Sequence, residues 1–153
     1  MKQSGRYLCF NLGKEEFAIA LISVREVLAM PTLTPIPQSP SHFLGITNLR
    51  GQIIPVIDLR SKLGIKSIPS EENAVVILEF GESPIGVAID QANSVQQVSG
   101  EELKDKPNLG HLRGNDYIEG VFRREENLIL ILNIDKALSD QERSVAKKAQ
   151  QAA

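Results

Sequence analysis

Apolar and polar positions alternate with period two in short runs along most of the chain, the pattern of half-buried strands. Tyr7, Cys9 and Asn11 fall on one side of the first run and Leu8, Phe10 and Leu12 on the other; Gly13 interrupts it, and Phe17, Ala18 and Ile19 resume beyond, which predicts a hairpin. The order recurs in the second half. Leu78, Phe80 and Gly81 match Phe10, Leu12 and Gly13 at an offset of 81 − 13 = 68, and Ile85, Val87, Ala88 and Ile89 match Phe17, Ile19, Ala20 and Leu21. Val24 and Val27 of SVREV return as Val95 and Val98 of SVQQV, three residues out of that register, as a small insertion requires. Phe43, Leu44, Gly45 and Ile46 then lead to Ile57 and Asp58, while Tyr117, Ile118, Gly120 and Val121 lead to Ile134 and Asp135. Two copies of one small unit follow, each of about five strands, with turns at Gly13, Gly51, Gly81 and residues 125–127. A unit of about 60 residues buries only a marginal core, so the copies are expected to pack together and exchange terminal strands.

Residues 45–60, GITNLRGQIIPVIDLR, combine a polar turn with a buried strand and no catalytic group. Ile53, Ile54, Val56 and Ile57 are a β-branched run; Pro55 lacks a ladder donor and belongs on an edge or at a bulge. Before them, Asn48, Leu49, Arg50 and Gly51 form a turn in which Gly51 supplies a positive φ and Arg50 projects five guanidinium donors into solvent. Asp58 has the side chain that caps a short helix through Leu63, with Gly64 as its stop; Asp135 is expected to cap the equivalent helix of the second copy. Ser99 and Glu102 have capping-box spacing, which predicts a short helix ended by Pro107. Residues 66–73, KSIPSEEN, read as the loop between the copies, and the polar tail 139–153 as a frayed helix or disordered.

The asparagine-leucine-arginine-glycine turn followed by a proline-valine strand ending in aspartate resembles the core motif of the CheW family, the coupling proteins of bacterial chemotaxis. The resemblance extends through LGKEEFAIALISVREVL (residues 12–28), NAVVILEF (73–80), IGVAID (85–90) and LILILNIDKAL (128–138). It implies an all-β fold of two intertwined five-stranded SH3-like barrels forming one domain over residues 5–138, the first barrel roughly 14–65 and the second roughly 73–135. It implies a non-enzymatic adaptor that links methyl-accepting chemotaxis receptors to the regulatory domain of a CheA-type histidine kinase, in the cytoplasm and recruited to receptor arrays. An adaptor for twitching, gliding or development is the related alternative. The segment 105–116, DKPNLGHLRGND, finds no match residue by residue, and no receiver-like sequence follows the second barrel.

Composition narrows the rest. Seventeen basic and nineteen acidic side chains give a net charge of −2, and the aromatic set of five Phe, two Tyr and no Trp offers little stacking platform; both disfavour a nucleic-acid-binding barrel. The N-terminus has no apolar signal segment, no apolar run approaches the length of a membrane span, and the single Cys9 cannot form an internal disulfide. His42 and His111 have no second ligand at metal spacing, and no glycine-rich loop has the spacing that cradles a phosphate, so no metal or cofactor is expected. Asp58 and Asp135 read as caps rather than paired catalytic carboxylates, and Cys9 as a small buried hydrophobe rather than a nucleophile served by a histidine.

Arg50 is the leading interaction residue, because a guanidinium fork grips carboxylates in bidentate fashion; the competing reading is an ion pair with Glu26 or Asp58. Asn48 and Gly51 are counted with Arg50 in the receptor-binding turn, where their main part, with Leu49, is to shape it. The resemblance implies that Arg50, Val24 and Glu26 face the receptor, with Val95 on the opposite wall of a groove between the barrels. The competing reading of Val24 and Val95 is core, and of Glu26 a solvated charge, in a segment that is either a helical turn or a strand. The runs Ile53 to Ile57 and Val75 to Leu78 read as edge strands available to the kinase, with burial inside the barrels, the commoner fate of such runs, as the competing reading.

Overall fold

The computed structural model describes residues 4–37, 42–66, 73–80, 83–105 and 115–138. In chain order the strands are β1 (Gly5–Leu12), β2 (Glu15–Ala20), β3 (Val24–Ala29), β4 (Phe43–Leu49) and β5 (Gln52–Asp58), then helix α1 (Leu59–Leu63). The second series is β6 (Ala74–Phe80), β7 (Ser83–Ile89), β8 (Gln91–Val98), β9 (Ile118–Arg124) and β10 (Asn127–Leu132), then α2 (Ile134–Ala137). Among the described residues, five strands and a helix thus occur twice.

The strands form two five-stranded sheets, ordered β8-β1-β2-β10-β9 and β3-β6-β7-β5-β4. Each sheet takes its opening hairpin from the other half: β1 and β2 pair with β8 and β10, and β6 and β7 with β3 and β5. The sheets therefore cut across the sequence halves. Within 14–65, β2 lies in the sheet built on the second half, and within 73–135, β6 and β7 lie in the sheet built on the first. The connecting segments bridge β4 through Thr34–Ile46 and β9 through Lys104–Val121, giving two small barrels. Even the bulges repeat: the register slips at Leu44 against β5 and at Glu119 against β10, and 119 − 44 = 75.

Alternation along each strand feeds three cores. Leu8, Phe10, Leu12, Phe17 and Ile19 meet Ile57, Val76, Leu78, Ile85, Val87 and Ile89 in one cluster shared by both sheets. The opposite faces fill the barrels separately, with Tyr7, Cys9, Ala18, Phe122, Ile129 and Ile131 in one and Ile54, Val56, Val75, Ile77 and Ala88 in the other. Strands buried on both faces read as continuous apolar runs. For that reason the runs Ile53–Ile57 and Val75–Leu78 are not edges: β5 lies between β7 and β4, β6 lies between β3 and β7, and Ile54, Val56, Ile57 and Val75 to Leu78 are fully buried. Pro55 pairs only with Ile46 of β4, one residue before the β7 pairing begins at Val56, so its missing N–H leaves no ladder bond unmade.

Local chemistry sets the element ends. The Asp58 carboxylate accepts from the Arg60 N–H at 3.0 Å and caps α1, and Gly64 ends it in the left-handed region. The cap of α2 is Asn133, whose side chain accepts from the Lys136 N–H at 3.2 Å; Asp135 sits inside the first turn and does not cap it. The offset of 75 aligns Asn133 with Asp58, whereas matching Ile-Asp to Ile-Asp slips by two residues. Residues 99–102 close a turn rather than a helix. Glu102 accepts from the Ser99 N–H at 3.0 Å, as a capping box does, but the chain then extends so that Lys104 bridges Val121. Pro107, His111, most of the segments 66–73 and 105–116, and the tail 139–153 lie outside the described residues.

Candidate functional site

Arg50 and Gly51 are the two central residues of the β4–β5 hairpin, with φ of 53° and 86°, between the paired Leu49 and Gln52. Positive φ at both positions is the two-residue turn whose twist matches the flanking strands, and Gly51 takes it without a Cβ penalty. The Asn48 side chain accepts from the Gly51 N–H at 2.9 Å, fixing the turn from within. Arg50 is held outward, its side chain 62% exposed.

The Arg50 guanidinium donates through Nη2 to Glu26 Oε2 on β3. Glu26 also has Arg25 Nε at 3.9 Å, and Arg25 reaches Glu79 at 3.5 Å and the Gln52 side chain at 2.8 Å. β3 and β4 are the two outer strands of their sheet, so these links join its ends across the barrel seam. The segment containing Val24 and Glu26 is a strand, preceded by a single 3-10 turn, Leu21–Ser23. Of the two ion-pair partners expected for Arg50 the structure shows Glu26, and the arginine side chain stays largely exposed in that pair.

Val24 packs half-buried on the shared core, and the register slips between it and Glu26. Val95 stands on β8, an outer strand of the other sheet, and is 50% exposed. The structure therefore gathers Glu26, Asn48, Arg50 and Gly51 into one cluster, with Val24 on the same strand as Glu26 and Val95 on the neighbouring unit. Sequence reasoning passed over Ile22, 94% exposed in the 3-10 turn just before Val24. The repeat gave no signal for it: the offset of 68 pairs Ile22 with Asp90, which is buried, so the two junction residues differ in both chemistry and exposure.

The other described candidates are not poised for chemistry. Cys9 is fully buried, and burial, with the Glu16 charge adding to it, pushes its thiol up to about 11, the reverse of what a nucleophile needs. His42 Nδ1 lies 3.0 Å from the Ser61 hydroxyl. Asp58 is engaged with Arg60. Among the described residues no group of His, Cys, Asp and Glu could hold a metal ion, and no helix is long and apolar enough to cross a membrane.

The family described as the CheW-like domain matches residues 6–142. The chain is 34% identical over 137 residues to the chemotaxis protein CheW of Klebsiella aerogenes, covering 89% of this chain and 82% of that one. It is 33% identical over 138 residues to the chemotaxis protein CheW of Treponema pallidum, covering 87% and 81%. The crystal structure of the scaffolding protein TtCheW from Thermoanaerobacter tengcongensis superposes with a TM-score of 0.76 at 27% identity, covering 85% of this chain and 89% of that one. Matched in sequence over nearly its whole length and in the fold of its paired barrels, the chain belongs to the CheW-like domain family.

Proposed function

We propose that the protein is a non-catalytic coupling adaptor of bacterial chemotaxis, linking the cytoplasmic tips of methyl-accepting receptors to the regulatory domain of a CheA-type histidine kinase. It acts in the cytoplasm and is recruited to receptor arrays by those partners. The names of its relatives, chemotaxis protein and scaffolding protein, support the pathway and the role. The observation that carries the binding site is the exposed Arg50 fork, fixed by a two-residue turn and tethered to Glu26 across the barrel seam. A tethered arginine is pre-organised, so a partner carboxylate that replaces Glu26 gains its contacts without ordering a free side chain. Val24 and Ile22 extend the surface with apolar area on one unit, and Val95 does so on the other.

Calorimetric titration with a receptor-tip fragment tests the assignment. Arg50→Ala is expected to weaken binding by about 1–3 kcal/mol, roughly 5- to 150-fold, with titration of the kinase regulatory domain unchanged. Unaltered receptor affinity in a folded Arg50→Ala protein would remove Arg50 from the site.

A further inference from the structure

The chain passes between the two sheets twice, through Leu21–Ser23 from β2 to β3 and through the single residue Asp90 from β7 to β8. Asp90 is 5% exposed, and its two carboxylate oxygens serve different units. Oδ1 accepts from Arg60 Nη1 on α1, the helix that follows β5, and Oδ2 accepts from the backbone N–H of Gly13 in the β1–β2 turn. The Asp90 N–H donates to the Asn11 carbonyl at 3.0 Å. Arg60, 7% exposed, also donates through Nε to Asp58 at 2.9 Å. Burial alone would lower the guanidinium's pKa, but its bonds to Asp58 and Asp90 outweigh this and hold it above the ordinary value.

The internal repeat provides a control within the same molecule. The counterpart of Asp90 at the offset of 68 is Ile22, and the counterpart of Arg60 at the offset of 75 is Asp135, a pair that cannot form this bridge. The topology therefore builds one of its two junctions without the ion bridge. Apolar contact in the shared core is non-directional, whereas a charged fork between two carboxylates has a fixed geometry. A buried ion pair is weak evidence of net stability, and in some proteins such groups serve to specify one arrangement among several.

We propose that Asp90, acting through Arg60, is a positioning residue that fixes the angle between the two barrels. An adaptor whose receptor surface spans both units needs that angle set, a consequence that rests on the coupling role proposed above.

The test is a double electron–electron resonance distance in the full chain, spin-labelled at Ala29→Cys on β3 and Glu126→Cys in the β9–β10 turn, both exposed positions. Cys9, buried and with its thiol pushed up to about 11, should stay unlabelled near neutral pH, which a labelling reaction on the parent without the added cysteines checks. The parent should give one narrow distance. Asp90→Asn, and Arg60→Met combined with Asp90→Asn so that no guanidinium is left uncompensated, should keep native circular dichroism while the distance shifts or broadens. A parent-like distance in either folded variant overturns the inference. Failure of both to fold also overturns it, because the bridge would then be a requirement of the fold. Calorimetry of the same variants with receptor fragment and kinase domain reads the adaptor role separately: absence of binding even by the parent would refute that role and leave the distance result standing.

Discussion

Gly86 lies in the middle of β7, opposite Ile77 of β6 and beside Val56 of β5. A Cβ at this position would stand 2.8 Å from Val75 Cγ1 and 3.1 Å from Val56 Cγ2. Both valines are fully buried, and a β-branched side chain on a strand has little freedom to turn aside. Gly86→Ala should therefore act as overpacking and cost about 1–3 kcal/mol, which for a chain of this size lowers Tm by roughly 2–12 °C. The informative measurement is a urea-denaturation cycle combining Gly86→Ala with Val56→Ala, because Val56 belongs to the first half of the sequence and Gly86 to the second. If the hairpin of each half is built into the other's sheet, removing the Val56 methyls should relieve the added one, and the two changes should couple by about 1 kcal/mol. Additive effects, or a Gly86→Ala protein as stable as its parent, would refute the hairpin exchange at this position.

The helix caps give a second expectation: Asn133→Ala should cost about 1 kcal/mol in urea unfolding, while Asp135→Ala loses no cap bond and should be the milder change. The Cys9 thiol should resist modification by an aromatic disulfide at mildly alkaline pH until the protein is unfolded. Its folded pKa of about 11 lies above the ordinary 9.0, so the unfolded chain loses this proton first. The stability it contributes is whole below pH 9 and disappears as pH rises toward 11. Unfolding free energy should fall across that window, and fall less steeply in Cys9→Ala.

Much of this fold is legible in the chain because period-two patterning, turn glycines and repeated spacings are local signals. The turn at Asn48 to Gly51, the strand behind it and the cap at Asp58 follow from residue chemistry within a few positions. Strand partnership does not. VVIL at residues 75–78 reads equally as an apolar edge or as an inner strand until pairing is known, although an unbroken apolar run is itself the mark of burial on both faces. Glu26 and Arg50 lie 24 residues apart, and only the ordering of β3 and β4 at opposite ends of one sheet shows that they meet. Asn133 was hidden by the repeat itself, since the shared Ile-Asp dipeptide drew the alignment two residues past the register that the matching bulges keep.

The most direct test of the coupling role is sedimentation of the chain mixed with both a receptor-tip fragment and the regulatory domain of the CheA-type kinase. The account predicts one species containing all three components, from which Arg50→Ala loses the receptor fragment and keeps the kinase domain. Mutually exclusive binding of the two partners, or loss of the kinase domain together with the receptor fragment in the Arg50→Ala protein, would contradict it.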